Sequence, residues 1–274
     1  MSECNHDCSN CSQNCAERDP KSFLLKQNAR SNIRKIIAVV SGKGGVGKSL
    51  VTSVVASALN KAGNMVAILD ADITGPSIPQ AFGLHQVLYS GDDGMIIPAK
   101  TKEGIKVVST NLLLEDPASP VVWRGPIIAS MVSQFYTDVA WGDVDYMLVD
   151  LPPGTGDVPL TVFQSLPIDG VIIVTTPQDL VSLIVEKAVR MASMMNKKVL
   201  GIVENMSYVI CPDCGKKISL FGPSRSEQLA REYGLEVIAS LPLDPEITEK
   251  IDSGLAEEID VADLQNAVGI IRKL

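Results

Sequence analysis

The sequence predicts an α/β fold, a mostly parallel sheet flanked by helices. From Ile36 onward, short β-branched runs alternate with amphipathic stretches, the pattern of repeated strand–helix–strand units. Hydrophobic residues make up 46% of the 274 positions and aromatic ones only 4%, so the core must be built from Val, Ile, Leu, Ala and Met, as suits a sheet buried on both faces. The first apolar run, Ile36-Ile37-Ala38-Val39-Val40, feeds a glycine-rich turn from Ser41 to Ser49, and the turn opens a helix.

Taken in order, the chain begins with residues 1–20, where Cys4, Cys8, Cys11 and Cys15 lie among Ser, Asn, Asp, Glu and Gln without apolar periodicity. Such a segment has no hydrophobic core to fold on and takes any order from a bound metal. Residues 21–35 carry Phe23, Leu24 and Leu25 among basic and amide residues and read as a linker or short helix; residues 36–274 form the main domain. Strands are expected at 36–41, 66–70, 106–109, 146–150, 171–175, 198–203 and 236–240. Helices are expected near 47–61, 126–138, 158–165, 179–195, 224–233, 245–252 and 260–272. Residues 85–104, with Gly91, Asp92, Asp93, Gly94 and Gly104, are too turn-rich for a long element and predict a hairpin or loop excursion.

A net charge of −8 argues against nucleic acid and anionic membrane surfaces as partners, since both select clustered Lys and Arg. No run of 18 apolar residues exists and the N-terminus is polar, which predicts a cytoplasmic protein without membrane span or signal peptide. In that compartment the six cysteines read as metal ligands or redox groups rather than a disulfide framework.

The turn after the first strand carries the clearest chemistry. Gly42, Gly47, Lys48 and Ser49 meet the pattern G-x-x-x-x-G-K-S/T in the strand–loop–helix context it requires. Gly44, Gly45 and Val46 complete a loop whose backbone N–H groups face inward, and the helix N-terminus adds partial positive charge. Lys48 reaches the β- and γ-phosphates of ATP, and Ser49 holds Mg²⁺. Lys43 lies inside the loop and is not required by the basic motif.

Two strands end in aspartates beside this loop. Val66-Ala67-Ile68-Leu69 leads to Asp70 and Asp72, where a carboxylate orients water or assists Mg²⁺, although capping or turn aspartates fit the same spacing. Thr74 to Pro79 then reads as a mobile loop sensing the γ-phosphate. Tyr146-Met147-Leu148-Val149 ends at Asp150, a Walker-B-like position for Mg²⁺, and Pro152-Pro153-Gly154-Thr155-Gly156 shapes a switch loop. Two later strands end in Glu204-Asn205 and Pro242-Leu243-Asp244. Asn205 has the donors and acceptor to read an adenine edge, with Pro242 and Asp244 as further ATP-binding candidates; an asparagine in a turn fits Asn205 equally well.

Cys211-Pro212-Asp213-Cys214-Gly215 is a C-x-x-C turn of the kind that directs two thiolates to one metal. Two thiolates are half a site, completed by another pair in this chain or by the same pair of a second chain; a redox dithiol is the competing chemistry. The tail spacing, C-x₃-C-x₂-C-x₃-C over Cys4, Cys8, Cys11 and Cys15, can wrap a 4Fe-4S cluster, with Zn²⁺ as the alternative and His6 as a substitute ligand.

Together these residues identify a resemblance. Lys43 to Ser49 is similar to the deviant Walker A motif of the nitrogenase iron protein, MinD and ParA. With Asp70, Asp72, Trp123-Arg124-Gly125-Pro126, Trp141-Gly142-Asp143, the Asp150 to Asp157 loop, Glu204-Asn205-Met206-Ser207 and the Cys211/Cys214 pair, the chain resembles the Mrp/ApbC-type iron–sulfur cluster carrier ATPases over residues 30 to 270. The resemblance implies a homodimer with two ATP molecules at its face and slow ATP hydrolysis. It implies that Lys43 reaches the partner's nucleotide, that Asp72 orients the attacking water, and that Cys211 and Cys214 of two chains hold a bridging 4Fe-4S cluster destined for apo iron–sulfur proteins. The small N-terminal domain of many bacterial members is missing here, and the tail cysteines are more tightly spaced than in eukaryotic relatives. A positioning ATPase like MinD or ParA, or an electron-transfer protein like the nitrogenase iron protein, is the alternative.

Overall fold

The computed structural model describes residues 23–73, 75–113, 125–178, 182–222, 224–260 and 262–274. The tail cysteines, Thr74, Trp123 and Arg124 lie outside them. Among the described residues one nine-stranded sheet forms the centre. Its strands are β1 (Ser31–Ser41), β2 (Val66–Asp70), β3 (Ala99–Lys100), β4 (Lys106–Val108), β5 (Gly142–Asp150), β6 (Gly170–Thr175), β7 (Val199–Ile210), β8 (Lys217–Ile218) and β9 (Val237–Pro242). The order is β3-β4-β2-β5-β1-β6-β7-β8, with β9 also paired to β7. Only β3–β4 and β7–β8 are antiparallel.

Helices α1 (Lys48–Lys61), α2 (Ile78–Ala81), α3 (Gly125–Thr137), α4 (Asp157–Ser165), α5 (Ser182–Met194), α6 (Ser226–Glu232), α7 (Pro245–Asp252) and α8 (Leu264–Ile271) accompany the sheet. The central strands β2 and β6 are buried at every position, so aliphatic side chains fill both faces, as the scarcity of aromatic residues predicts. Trp141 is one of the few large rings; it is fully buried and its indole N–H donates to Phe135 O at 3.0 Å.

Several boundaries differ from the sequence expectation. β1 begins at Ser31, inside the expected linker, and β5 begins at Gly142 rather than 146. The two pair in register from Ser31↔Gly142 onward, and polar cross-strand bonds hold the extension: Asn32 Nδ2 donates to Asp143 Oδ1 and Arg34 pairs with Asp145, each at 2.9 Å. Part of the loop expected at Thr74 to Pro79 belongs to the short α2, with Ile78 and Pro79 buried. The excursion at 85–104 contains a Ser90↔Ile96 bridge and β3. The final helix is shorter than expected, with a separate 3₁₀ turn at Ala256–Glu258. The largest difference is β7, which continues past Asn205 to Ile210 because β9 and β8 supply partners there.

Candidate functional site

The parallel topology brings the carboxyl ends of β1, β2 and β5 together, and the glycine loop crosses that edge. Gly45 and Gly47 have φ of 80° and 77°, the left-handed geometry that lets the loop curl into α1. No side chain caps the α1 N-terminus, so its first N–H groups remain for an anion. Gly47 is required for a second reason: a Cβ there would lie 2.2 Å from Asn205 Nδ2. Gly47→Ala is therefore expected to cost at least about 1–2 kcal/mol from the backbone alone, read by urea denaturation, and to weaken MgATP binding. An unchanged denaturation midpoint would contradict the described loop.

Behind the loop, Lys48 and Asp150 are both buried, and Lys48 Nζ lies 2.8 Å from Asp150 Oδ2 and 3.6 Å from Asp72 Oδ2. Ser49 Oγ donates to Asp150 Oδ2 at 2.5 Å and Thr52 Oγ1 to Asp150 Oδ1 at 2.7 Å. Asp150 is thus fully satisfied by one ammonium and two hydroxyls, which is how its charge is tolerated inside the protein. The same set suits Mg²⁺: a buried carboxylate and a serine hydroxyl at the loop's end are oxygen ligands of the hard kind that ion prefers.

Asp70 faces Asp150 across the β2–β5 ladder and accepts from Ser109 Oγ at 2.9 Å and from the Asp72 N–H at 3.2 Å. Complete burial, and secondarily the Asp150 charge, pushes its pKa up to about 8. The folded state then holds a proton that the unfolded chain releases near the ordinary 3.8, so stability falls as pH rises from about 4 to about 8. Asp70→Asn is expected to flatten that fall by up to about 1.36 kcal/mol per pH unit, read as the difference in unfolding free energy between the two proteins. Equal slopes in both would contradict it.

The loop cleft, about 290 Å³, is closed by Asp72, Ser77, Pro153 and Ile251. Pro153 belongs to the switch loop, where the Gly154 N–H donates to Ser41 O at 2.8 Å. Lys43 rests on Gln178, with Nζ 3.0 Å from its Oε1. Asn205 is buried and donates through Nδ2 to Val46 O at 2.9 Å. Pro242 and Asp244 do not line this cleft: they border a second one, of about 360 Å³, with Tyr208, Lys217 and Lys250. Asp244 accepts from the Glu246 N–H at 2.9 Å as the cap of α7. Thr52, Ser109, Gln178 and Ile251 were not singled out by sequence reasoning; only Thr52 carried a signal, lying three residues after Ser49 on one helix face.

The cysteine pair sits at the tip of the β7–β8 hairpin. Cys211 N donates to Lys216 O at 3.0 Å and Gly215 N to Cys211 O at 2.9 Å, with Gly215 at φ 69°. Ile210, Ile218, Leu220 and Phe221 are exposed around it. Cys214 is exposed and Cys211 partly so, and both are free thiols. The N–H groups of Cys214 and then Asp213 aim at the Cys211 sulfur and hold its pKa below the usual thiol range. Among the described residues no three His, Cys, Asp or Glu side chains gather into a metal site, so this pair is an incomplete ligand set.

A parallel sheet with a glycine loop, a buried lysine–aspartate pair and an uncapped helix N-terminus defines a P-loop nucleotide-binding protein. A family model described as ParA, NUBPL iron-transfer P-loop NTPase, matches residues 32–273, and the chain belongs to that family. It is 46% identical over 261 residues to an iron-sulfur cluster carrier protein of Methanocaldococcus jannaschii, covering 93% of this chain and 90% of the relative. It is 48% identical over 263 residues to one from Clostridium perfringens, covering 89% and 92%. Among solved structures it is similar to a nucleotide-binding protein of Archaeoglobus fulgidus in complex with ADP, at TM-score 0.77 and 46% identity over 85% of this chain and 91% of that one. MinD of Aquifex aeolicus shares the fold, at TM-score 0.59 and 22% identity over 87% and 96%.

Proposed function

We propose that this chain is an ATP-hydrolysing iron–sulfur cluster carrier that assembles a 4Fe-4S cluster between two copies of itself and delivers it to apo-proteins. The observation that carries the reading is the exposed Cys211/Cys214 hairpin, a two-thiol ligand set on the same domain as an intact phosphate loop. The relatives named as iron-sulfur cluster carriers and the ADP complex of the Archaeoglobus protein support it.

In this reading the loop from Gly42 through Ser49 holds the ATP phosphates. Ser49 and Asp150 would hold Mg²⁺, which would supply charge neutralisation on the β- and γ-phosphates. Lys48 leaves Asp150 for those phosphates, and Asp72, now 3.6 Å from Lys48, orients the water. Lys43 leaves Gln178 and crosses to the partner's nucleotide, adding positive charge in the manner of an arginine finger. Asn205 retains a second N–H and its carbonyl oxygen for the adenine, whereas Pro242 and Asp244, the further ATP-binding candidates of the sequence, border the neighbouring cleft.

Cys4, Cys8, Cys11 and Cys15, outside the described residues, are proposed to hold a second 4Fe-4S cluster or Zn²⁺. No described helix is long and apolar enough to cross a membrane, and we place the carrier in the cytoplasm without nucleic-acid partners. Anaerobic reconstitution tests the bridging site: a chain lacking residues 1–20 is expected to become a dimer that holds about four irons per two chains. A monomer that takes up no iron would overturn the reading.

A further inference from the structure

One strand runs from one half-site to the other. On β7, Asn205 grips the phosphate loop at Val46, and the strand ends at Ile210, beside Cys211. The residue before Asn205 is anchored too: buried Glu204 accepts from the hydroxyls of Ser207, Ser224 and Ser226. On the far side, Tyr208 belongs to the hairpin. Its hydroxyl donates to Asp263 at 2.9 Å, and the Lys217 ammonium sits 3.9 Å from its ring centre. Lys217 in turn pairs with Ile210 across the β7–β8 ladder.

Between these two anchored ends stands Met206, with φ of 56°. That left-handed conformation is unusual for a bulky side chain, and the allowed region around it is small. The β7–β9 register is also irregular between Glu204 and Tyr208, so the ladder does not brace the backbone at this point. Val46 belongs to the loop whose N–H groups face the phosphate site, so a displacement of that loop on phosphate binding would be felt at Asn205. A residue confined to a narrow backbone well passes such a displacement along the strand, whereas glycine, with its wide range, would absorb it.

We propose that Met206 is a positioning residue whose left-handed backbone transmits occupancy of the phosphate loop, felt at Asn205, to the orientation of the Cys211/Cys214 hairpin. The proposal rests on the nucleotide part of the functional reading and is independent of any cluster. By linkage, whatever binds the hairpin then alters nucleotide affinity by the same factor.

The test is hydrogen–deuterium exchange of the metal-free full-length chain with and without MgADP. In the wild type, MgADP is expected to slow exchange in the loop peptide and to change rates across residues 207–218 by about threefold or more. Met206→Ala, still an L-residue in the same well, is expected to keep both responses. Met206→Gly is expected to keep the loop response and lose that of the hairpin. A full hairpin response in Met206→Gly, its loss in Met206→Ala as well, or no hairpin response in the wild type would each overturn the proposal. Absence of loop protection in the wild type would overturn the nucleotide reading, and the proposal with it.

Discussion

Lys48→Ala is expected to lower single-turnover ATP hydrolysis by on the order of 10²–10³-fold, because the transferring phosphoryl group loses a preorganised charge in a dry site. It is also expected to destabilise the nucleotide-free protein. Lys48 is the ammonium that neutralises buried Asp150, and removing one partner of a buried pair typically costs about 3–5 kcal/mol. The double variant Lys48→Met with Asp150→Asn separates the two effects. It leaves no uncompensated charge, so most of the stability should return while hydrolysis stays lost. Recovery of hydrolysis in the double variant would contradict the assigned roles.

The second large effect falls on the cysteines. Cys211→Ala or Cys214→Ala is expected to reduce iron retained after anaerobic desalting to near zero in a chain lacking residues 1–20, and to return the dimer to monomer. A bridging cluster that loses one thiolate from each chain is left with half its ligands. The fold should hardly notice, because Cys214 is exposed and Cys211 partly so; the unfolding free energy of the metal-free protein is expected to move within about 0.5 kcal/mol. Retention of the cluster in either variant would remove the hairpin from the site.

Much of the phosphate loop was legible in the sequence because its chemistry is local. Glycines that must turn, a lysine that must reach and a serine at the helix start all lie within nine residues, Ser41 to Ser49. Asp150 was legible as the end of an apolar run. What escaped depended on partners distant in sequence. The polar start of β1, Ser31 to Lys35, does not alternate like a strand, and it becomes one because β5 meets it residue for residue. Asn205 reads as the end of a strand, yet β7 runs on because β9 and β8 lie alongside. Thr52 reads as helix filler until Asp150 arrives 2.7 Å away. The protonated character of Asp70 follows from burial, which no spacing displays.

Both sites that the chain carries are proposed to be completed by a second copy: Lys43 serves the partner's nucleotide, and two thiols serve a shared cluster.

The most direct test is cluster delivery. The reconstituted dimer lacking residues 1–20 is mixed anaerobically with apo-aconitase under an iron chelator, and recovered aconitase activity is followed over time. The account predicts activation that proceeds despite the chelator and is absent with the Cys211→Ala protein. Activation abolished by the chelator, or equal with the variant, would show that iron reaches the recipient free in solution and would contradict the carrier function.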